Sequence, residues 1–136
     1  MSFVLDCSMT MAWILPDEST PRTVQLRDSL IERTGVVPGL WPVEVASVLL
    51  VATRRGRIEE RMWSPLVRQI GSLPIETDSE TGRRALTDAL LLAHEHVLSV
   101  YDATYLELAI RRRLPLATLD GELTAAARRA GVEVLG

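Results

Sequence analysis

The chain predicts an α/β fold: a short parallel sheet of about five strands with helices packed on both faces. Two observations carry this. Short apolar runs alternate along the whole chain with longer segments of helical periodicity, and each pair of strand candidates is separated by helix rather than by a tight turn. At 136 residues, with 47% apolar and 24% charged residues, the chain has the globular composition needed for a real core. One domain over residues 1–136 is expected.

Taken in order, Phe3–Leu5 reads as a strand ending in Asp6, and Ser8 or Thr10 as the cap of a helix running to Leu15. Thr20–Pro21 opens a second helix with Val24, Leu26, Leu30 and Ile31 as a partial stripe, closed by Gly35. Val36–Val37 is a very short buried strand. Pro42 starts a third helix, through Arg54–Arg55–Gly56, with Val45, Val48, Leu49 and Ala52 inward. Glu59–Gly71 reads as a fourth, with Met62, Leu66 and Ile70 on one side, and Pro74–Glu76 as a strand. Gly82–Ser99 is helical, and Tyr101–Arg112 is a helix begun at Asp102. Leu116–Leu119 is a strand leading to Asp120, Glu122–Ala130 a helix stopped by Gly131, and Val132–Leu135 the last strand.

Composition excludes several functions. A net charge of −3 gives no global basic field for a duplex, and 4% aromatics leave little for base-stacking platforms. The only cysteine, Cys7, precludes an internal disulfide and favours the cytosol, and the first residues lack the basic start of an export signal. No run of about 18 apolar residues offers a membrane span. All fifteen basic residues are arginine. A P-loop is therefore excluded, since it needs its lysine on the phosphates. Receiver-type and haloacid-dehalogenase-type acidic pockets also use a lysine, and the latter want an aspartate where Ser8 stands.

Four carboxylates sit against apolar runs: Asp6 in FVLDCS, Glu44 in LWPVEVAS, Asp102 in SVYDATYLELA and Asp120 in LATLDGEL. Each has a plainer reading. Aspartate favours turns and caps, Asp102 makes a fair N-cap and Asp120-Gly a fair turn. Glu44 is harder to dismiss, as the only charge between Pro42 and Ala52. Asp6 and Asp120 follow strands, so a parallel sheet places them at one edge, where open α/β sheets bind ligands. If the acids converge, a hard divalent cation with oxygen ligands is the natural occupant.

These contexts resemble a PIN-domain ribonuclease, specifically the VapC-type toxin of type II toxin–antitoxin modules, across nearly the whole chain. FVLDCSMTMAW resembles the family's opening strand, acid and following hydroxyl. VPGLWPVEVASVLL resembles its second motif, and LSVYDATYLELAIRRRLPLATLD, the most specific stretch, its third and fourth. One departure is Ser47, where the family often has asparagine. The resemblance implies a PIN-like three-layer fold and a catalytic metal site of Asp6, Glu44, Asp102 and Asp120, with Ser8 and Thr118 as orienting hydroxyls. It implies Mg²⁺, with Mn²⁺ as an alternative, and hydrolysis of RNA to 5′-phosphate and 3′-hydroxyl ends. It also implies a cognate antitoxin, a homodimer, and a cytoplasmic protein without a membrane partner. The alternatives are a PIN-fold module that binds RNA or antitoxin without turnover, and a nuclease of RNA maturation.

Other features are weaker. His94 and His96 lie two apart on a helix and point different ways, which suits one partly buried and one solvated ring. Among the arginine groups, Arg54, Arg55, Arg57 and Arg61 flank the helix of Glu44, with Arg54 and Arg55 as the candidate RNA phosphate contacts. The apolar excess of the first helix suggests that Trp13, Ile14 and Leu15 form a partner surface.

Overall fold

A computed structural model describes residues 1–136. Strands β1 (Ser2–Leu5), β2 (Thr34–Val37), β3 (Ile75–Thr77), β4 (Leu116–Ala117) and β5 (Val134–Leu135) form one sheet in the order β3-β2-β1-β4-β5. Every pair is parallel, with Val4 opposite both Val36 and Leu116. The α/β class expected from strand–helix alternation is the one observed.

The chain steps outward from β1 to β2 to β3, then returns past β1 to β4 and β5. Right-handed crossovers put the helices of the first half on one face and those of the second half on the other. The first layer holds α1 (Cys7–Ile14), α2 (Pro21–Asp28), α3 (Trp41–Arg54) and α4 (Trp63–Gly71). The second holds α5 (Thr81–Arg84), α6 (Leu90–His96), α7 (Val100–Arg112) and α8 (Gly121–Arg129). Covered on both faces, β1 carries Phe3, Val4 and Leu5 at 0% exposure, which explains its unbroken apolar run. The direction of progression reverses between β1 and β4, and that is where a crevice opens beyond the carboxyl ends of the strands.

Packing corrects several local expectations. Trp13, Ile14 and Leu15 are buried in the chain's own core rather than offered to a partner. The reason is that α1 packs against α2, α3 and α4, which cover it except where Cys7, Ser8 and Met11 line the cleft. Asp6, not Ser8 or Thr10, is the N-cap of α1, accepting from the Met9 amide. Gly35 does not close α2, which ends at Asp28 and runs into a 3₁₀ turn, Ser29–Ile31. Instead it lies within β2, where a Cβ would come within 2.8 Å of Ile75 Cδ1.

The fourth helix begins as a 3₁₀ turn, Glu60–Met62, and becomes α-helical only at Trp63. The helix placed over Gly82–Ser99 runs from Thr81 to His96 through a π segment, Ala85–Ala89. It stops because Val97 takes the left-handed conformation (φ 54°) and Ser99 caps α7. Strands β4 and β5 hold two residues each, shorter than expected from their apolar runs.

Candidate active site

Asp6 follows β1 directly, and its amide donates to Ala117 O of β4 at 3.2 Å, locking it at the switch point. Its side chain is 4% exposed and surrounded by donors. Ser8 Oγ lies 2.8 and 2.9 Å from the two carboxylate oxygens, and the Met9 amide donates to Oδ1 at 2.9 Å. Thr118 Oγ1 donates to Oδ2, so a residue just beyond β4 fixes the acid just beyond β1. Ser8 and Thr118 thus stand beside Asp6, where the sequence motifs put them.

The other acids reach the same crevice from three elements. Glu44 lies in the first turn of α3, where the helix dipole favours a negative charge. Its Oε1 accepts from the Tyr105 hydroxyl of α7 at 2.5 Å. Asp102 is not the cap of α7: Ser99 is, accepting from the Asp102 amide at 3.1 Å, so the Asp102 carboxylate is left free. Asp120 caps α8 through Oδ2, which accepts from the Leu123 amide at 2.8 Å, leaving Oδ1 without a protein donor. All four acids line one cleft of about 270 Å³, together with Cys7, Ser8, Met11, Glu18, Val48, Arg57 and Tyr105.

Electrostatics distinguish this cleft from the rest of the molecule. None of the four acids makes an ion pair. Burial, reinforced by Asp102, pushes the Asp6 carboxyl up to about 6 despite its donors. Asp102 is raised by burial, then by repulsion from Asp120 and Glu44. Cys7 is pushed up to about 12 by burial and the neighbouring Glu44 and Asp6, so its thiol stays protonated. Elsewhere, buried acids are neutralised: Arg111 donates to Asp78 at 2.8 Å and to Glu107 at 2.7 Å.

Converging oxygen donors with no cationic side chain paired to them suit a hard divalent cation. No three His, Cys, Asp or Glu side chains are arranged to hold an ion among themselves.

Ser47 is exposed and lies outside the cleft, as do His94, His96, Arg54 and Arg55. His94 is exposed and His96 partly so, and neither ring makes a hydrogen bond within the chain. Tyr105 lines the cleft without being singled out by the sequence, and of the arginine group flanking the Glu44 helix only Arg57 lines it, not Arg54 or Arg55. Tyr105 follows Asp102 by three residues, the spacing that puts both on one helix face, and that signal was present in DATY. The local signal that sets Arg57 apart from Arg54 and Arg55 is Gly56, which ends the helix between them.

No family model matches the chain. Ribonuclease VapC3 of Pyrobaculum aerophilum is 29% identical over 123 residues, spanning 90% of this chain and 92% of that protein. A crystal structure of PAE2754, also from Pyrobaculum aerophilum, superposes with a TM-score of 0.69 at 21% identity, covering 98% of this chain and 89% of that one. VapBC2 from Rickettsia felis, solved bound to a DNA fragment from its promoter, gives 0.65 at 14% identity, covering 98% and 97%. FitAcB from Neisseria gonorrhoeae gives 0.60 at 19%, covering 100% and 97%. The fold is shared with these three solved structures over at least 98% of this chain, and the likeness to VapC-type sequences read from the motifs is met by the comparisons.

Proposed function

We propose that the protein is a divalent-metal-dependent endoribonuclease, the toxin of a toxin–antitoxin pair, and that Asp6, Glu44, Asp102 and Asp120 are its catalytic acids. The observation that carries this is the convergence of four carboxylates, unpaired with any arginine, from β1, α3, α7 and the β4–α8 link on one cleft at the switch point. The relationship to a protein named as a ribonuclease supports the reaction class.

Mg²⁺, with Mn²⁺ as the alternative, would be held by these acids. When bound, the ion activates water and screens the charge of the phosphodiester. The chain's own residues do the rest. Ser8 and Thr118 hold the Asp6 carboxylate in one orientation, and Tyr105 does the same for Glu44. Asp102, whose carboxylate carries no capping bond, would share the main ligand role with Asp6, with Glu44 and Asp120 completing the site. Thiol chemistry has no part, because Cys7 stays protonated.

The antitoxin partner is supported by neighbours solved as VapBC2 and FitAcB. With Trp13 to Leu15 buried, the apolar side chains that could meet a partner are Val43, Leu50, Val51 and Val67 on α3 and α4. Leu86, Leu90 and Leu91 are exposed on the opposite layer, which suits a second copy of the chain. No helix is long and apolar enough to cross a membrane.

The test is induced expression of wild type and Asp6→Asn, with sequencing of new 5′-phosphate RNA ends. Asparagine keeps an acceptor for the α1 cap. New ends with wild type alone are expected; identical end profiles for the two would defeat the nuclease reading and favour a binding module without turnover.

A further inference from the structure

The cleft is lined by five carboxylates, Asp6, Glu18, Glu44, Asp102 and Asp120. Its sole basic lining residue is Arg57, three positions beyond the end of α3. Gly56, with φ 74°, closes the helix, and the Arg57 amide turns back to donate to Ala52 O at 2.9 Å. That turn directs Arg57 toward the 3₁₀ segment after α1, Pro16–Glu18. Arg54 and Arg55 precede the turn; both are exposed and neither lines the cleft.

Arg57 is held by a single nitrogen. Nη2 donates to Asp17 Oδ2 at 2.9 Å and to Glu18 Oε2 at 3.3 Å, leaving Nε and Nη1 without protein acceptors. Nε and Nη1 can each give one donor to a phosphate oxygen, and either two-donor edge of the guanidinium is completed by Nη2 once Asp17 and Glu18 release it. Met11 and Val48 add an apolar patch to the cleft wall. Arg57 and the four acids come from different elements but line the same cleft, so a strand lying in it meets both.

We propose that Arg57 is a phosphate subsite of the RNA groove: it grips a backbone phosphate flanking the one cleaved, with Asp17 and Glu18 as the counter-ions that the strand displaces. This rests on the ribonuclease reading above. Beyond the ion that the acids would hold, Arg57 is the one basic side chain lining this acidic cleft, and once released from Asp17 and Glu18 it offsets part of the repulsion of an RNA strand. The carboxylates hold the guanidinium in place before RNA arrives, and they also compete with RNA for it. Removing them therefore has the opposite consequence from removing the arginine.

The experiment measures binding of a fluorescent mixed-sequence single-stranded RNA over a range of salt, in the Asp6→Asn background, and cleavage of the same RNA with Asp6 restored. Arg57→Ala should weaken binding about tenfold and reduce the slope of log affinity against log salt by about 0.7, one phosphate contact. Its KM should rise while kcat stays near wild type. Arg57→Lys should keep the slope and recover part of the affinity. Asp17→Asn with Glu18→Gln should tighten binding. These side chains are exposed, so circular dichroism should show an unchanged fold. An unchanged slope in Arg57→Ala overturns the proposal. So does a weakened Asp17→Asn/Glu18→Gln variant that matches Arg57→Ala, because Arg57 would then be only a strut. RNA cleaved normally by Arg57→Ala sinks the subsite alone; a wild-type protein that neither binds nor cleaves RNA sinks the nuclease reading with it.

Discussion

The Tyr105 hydroxyl donates to Glu44 Oε1 at 2.5 Å, joining α7 of one helical layer to α3 of the other above the sheet edge. Tyr105 itself is 1% exposed, so this bond forms where water does not compete. Burial and the Glu44 carboxylate both hold its phenol protonated, well above its ordinary range. The bond aligns Glu44 while leaving its second oxygen free for the cleft.

Tyr105→Phe should therefore preserve the ring packing and lose the alignment. Second-sphere changes of this kind cost about 10–100-fold in metal affinity. Cleavage titrated with Mg²⁺ should shift to higher concentration by about tenfold, with much of the maximal rate recovered at saturation. A superimposable titration would show that Tyr105 serves packing only.

Asp120 and Asp6 are both helix caps and cleft acids, and the two roles separate by substitution. Asp120→Asn keeps an acceptor for the Leu123 amide, so thermal stability should change by less than about 0.5 kcal/mol, whereas Asp120→Ala should lose about 1 kcal/mol. Both should lose cleavage. An Asp120→Asn protein that cleaves RNA at the wild-type rate would confine Asp120 to capping.

Asp6 links stability to pH and metal. Its carboxyl titrates near 6 in the folded chain and near 3.8 when unfolded. The folded state thus binds this proton more tightly. The resulting stabilisation is full below about pH 3.8 and is lost as pH rises through 6, a change of about 3 kcal/mol. In metal-free buffer the melting temperature of wild type relative to Asp6→Asn should fall between pH 4.5 and 7. Added Mg²⁺ should restore it increasingly as pH rises. A pH-independent difference between the two proteins would remove Asp6 as the titrating group.

The second ionic cluster has the opposite sign. The Arg111 guanidinium holds the Asp78 carboxyl below its usual range, so that stabilisation is present above about pH 4 and lost on acidification. Arg111 side-chain exposure is 17%, against 7% for Asp78 and 5% for Glu107. Arg111→Ala leaves Asp78 and Glu107 with only the longer ionic contacts to Arg112 and Arg84, each at 4.0 Å, and should cost about 3 kcal/mol. The expected readout is a melting point lower by roughly ten degrees or more at pH 7, with part of the deficit recovered at pH 4.

The sheet was legible because its signal is local. Phe3–Leu5 and Leu116–Ala117 are apolar on both faces, and helix lies between every pair of strands. Gly35 misled because a small residue forced by Ile75 across the sheet looks the same, in one dimension, as a helix stop. The first helix misled for a related reason. An excess of apolar residues reveals that they must be covered, and only the fold reveals that α2, α3 and α4 do the covering.

By itself, the sequence determined the alternation of strand and helix, the parallel sheet, the four acids at the ends of their elements and the absence of lysine chemistry. These follow from residue type, period and neighbours in the chain. Only the tertiary structure decided that Ser99 rather than Asp102 caps α7, that Tyr105 reaches Glu44 across 61 residues, and that Arg57 alone among its neighbours enters the cleft. Those relationships depend on how two helical layers meet over a sheet edge. That geometry comes from packing many side chains at once, and no short stretch of sequence contains it.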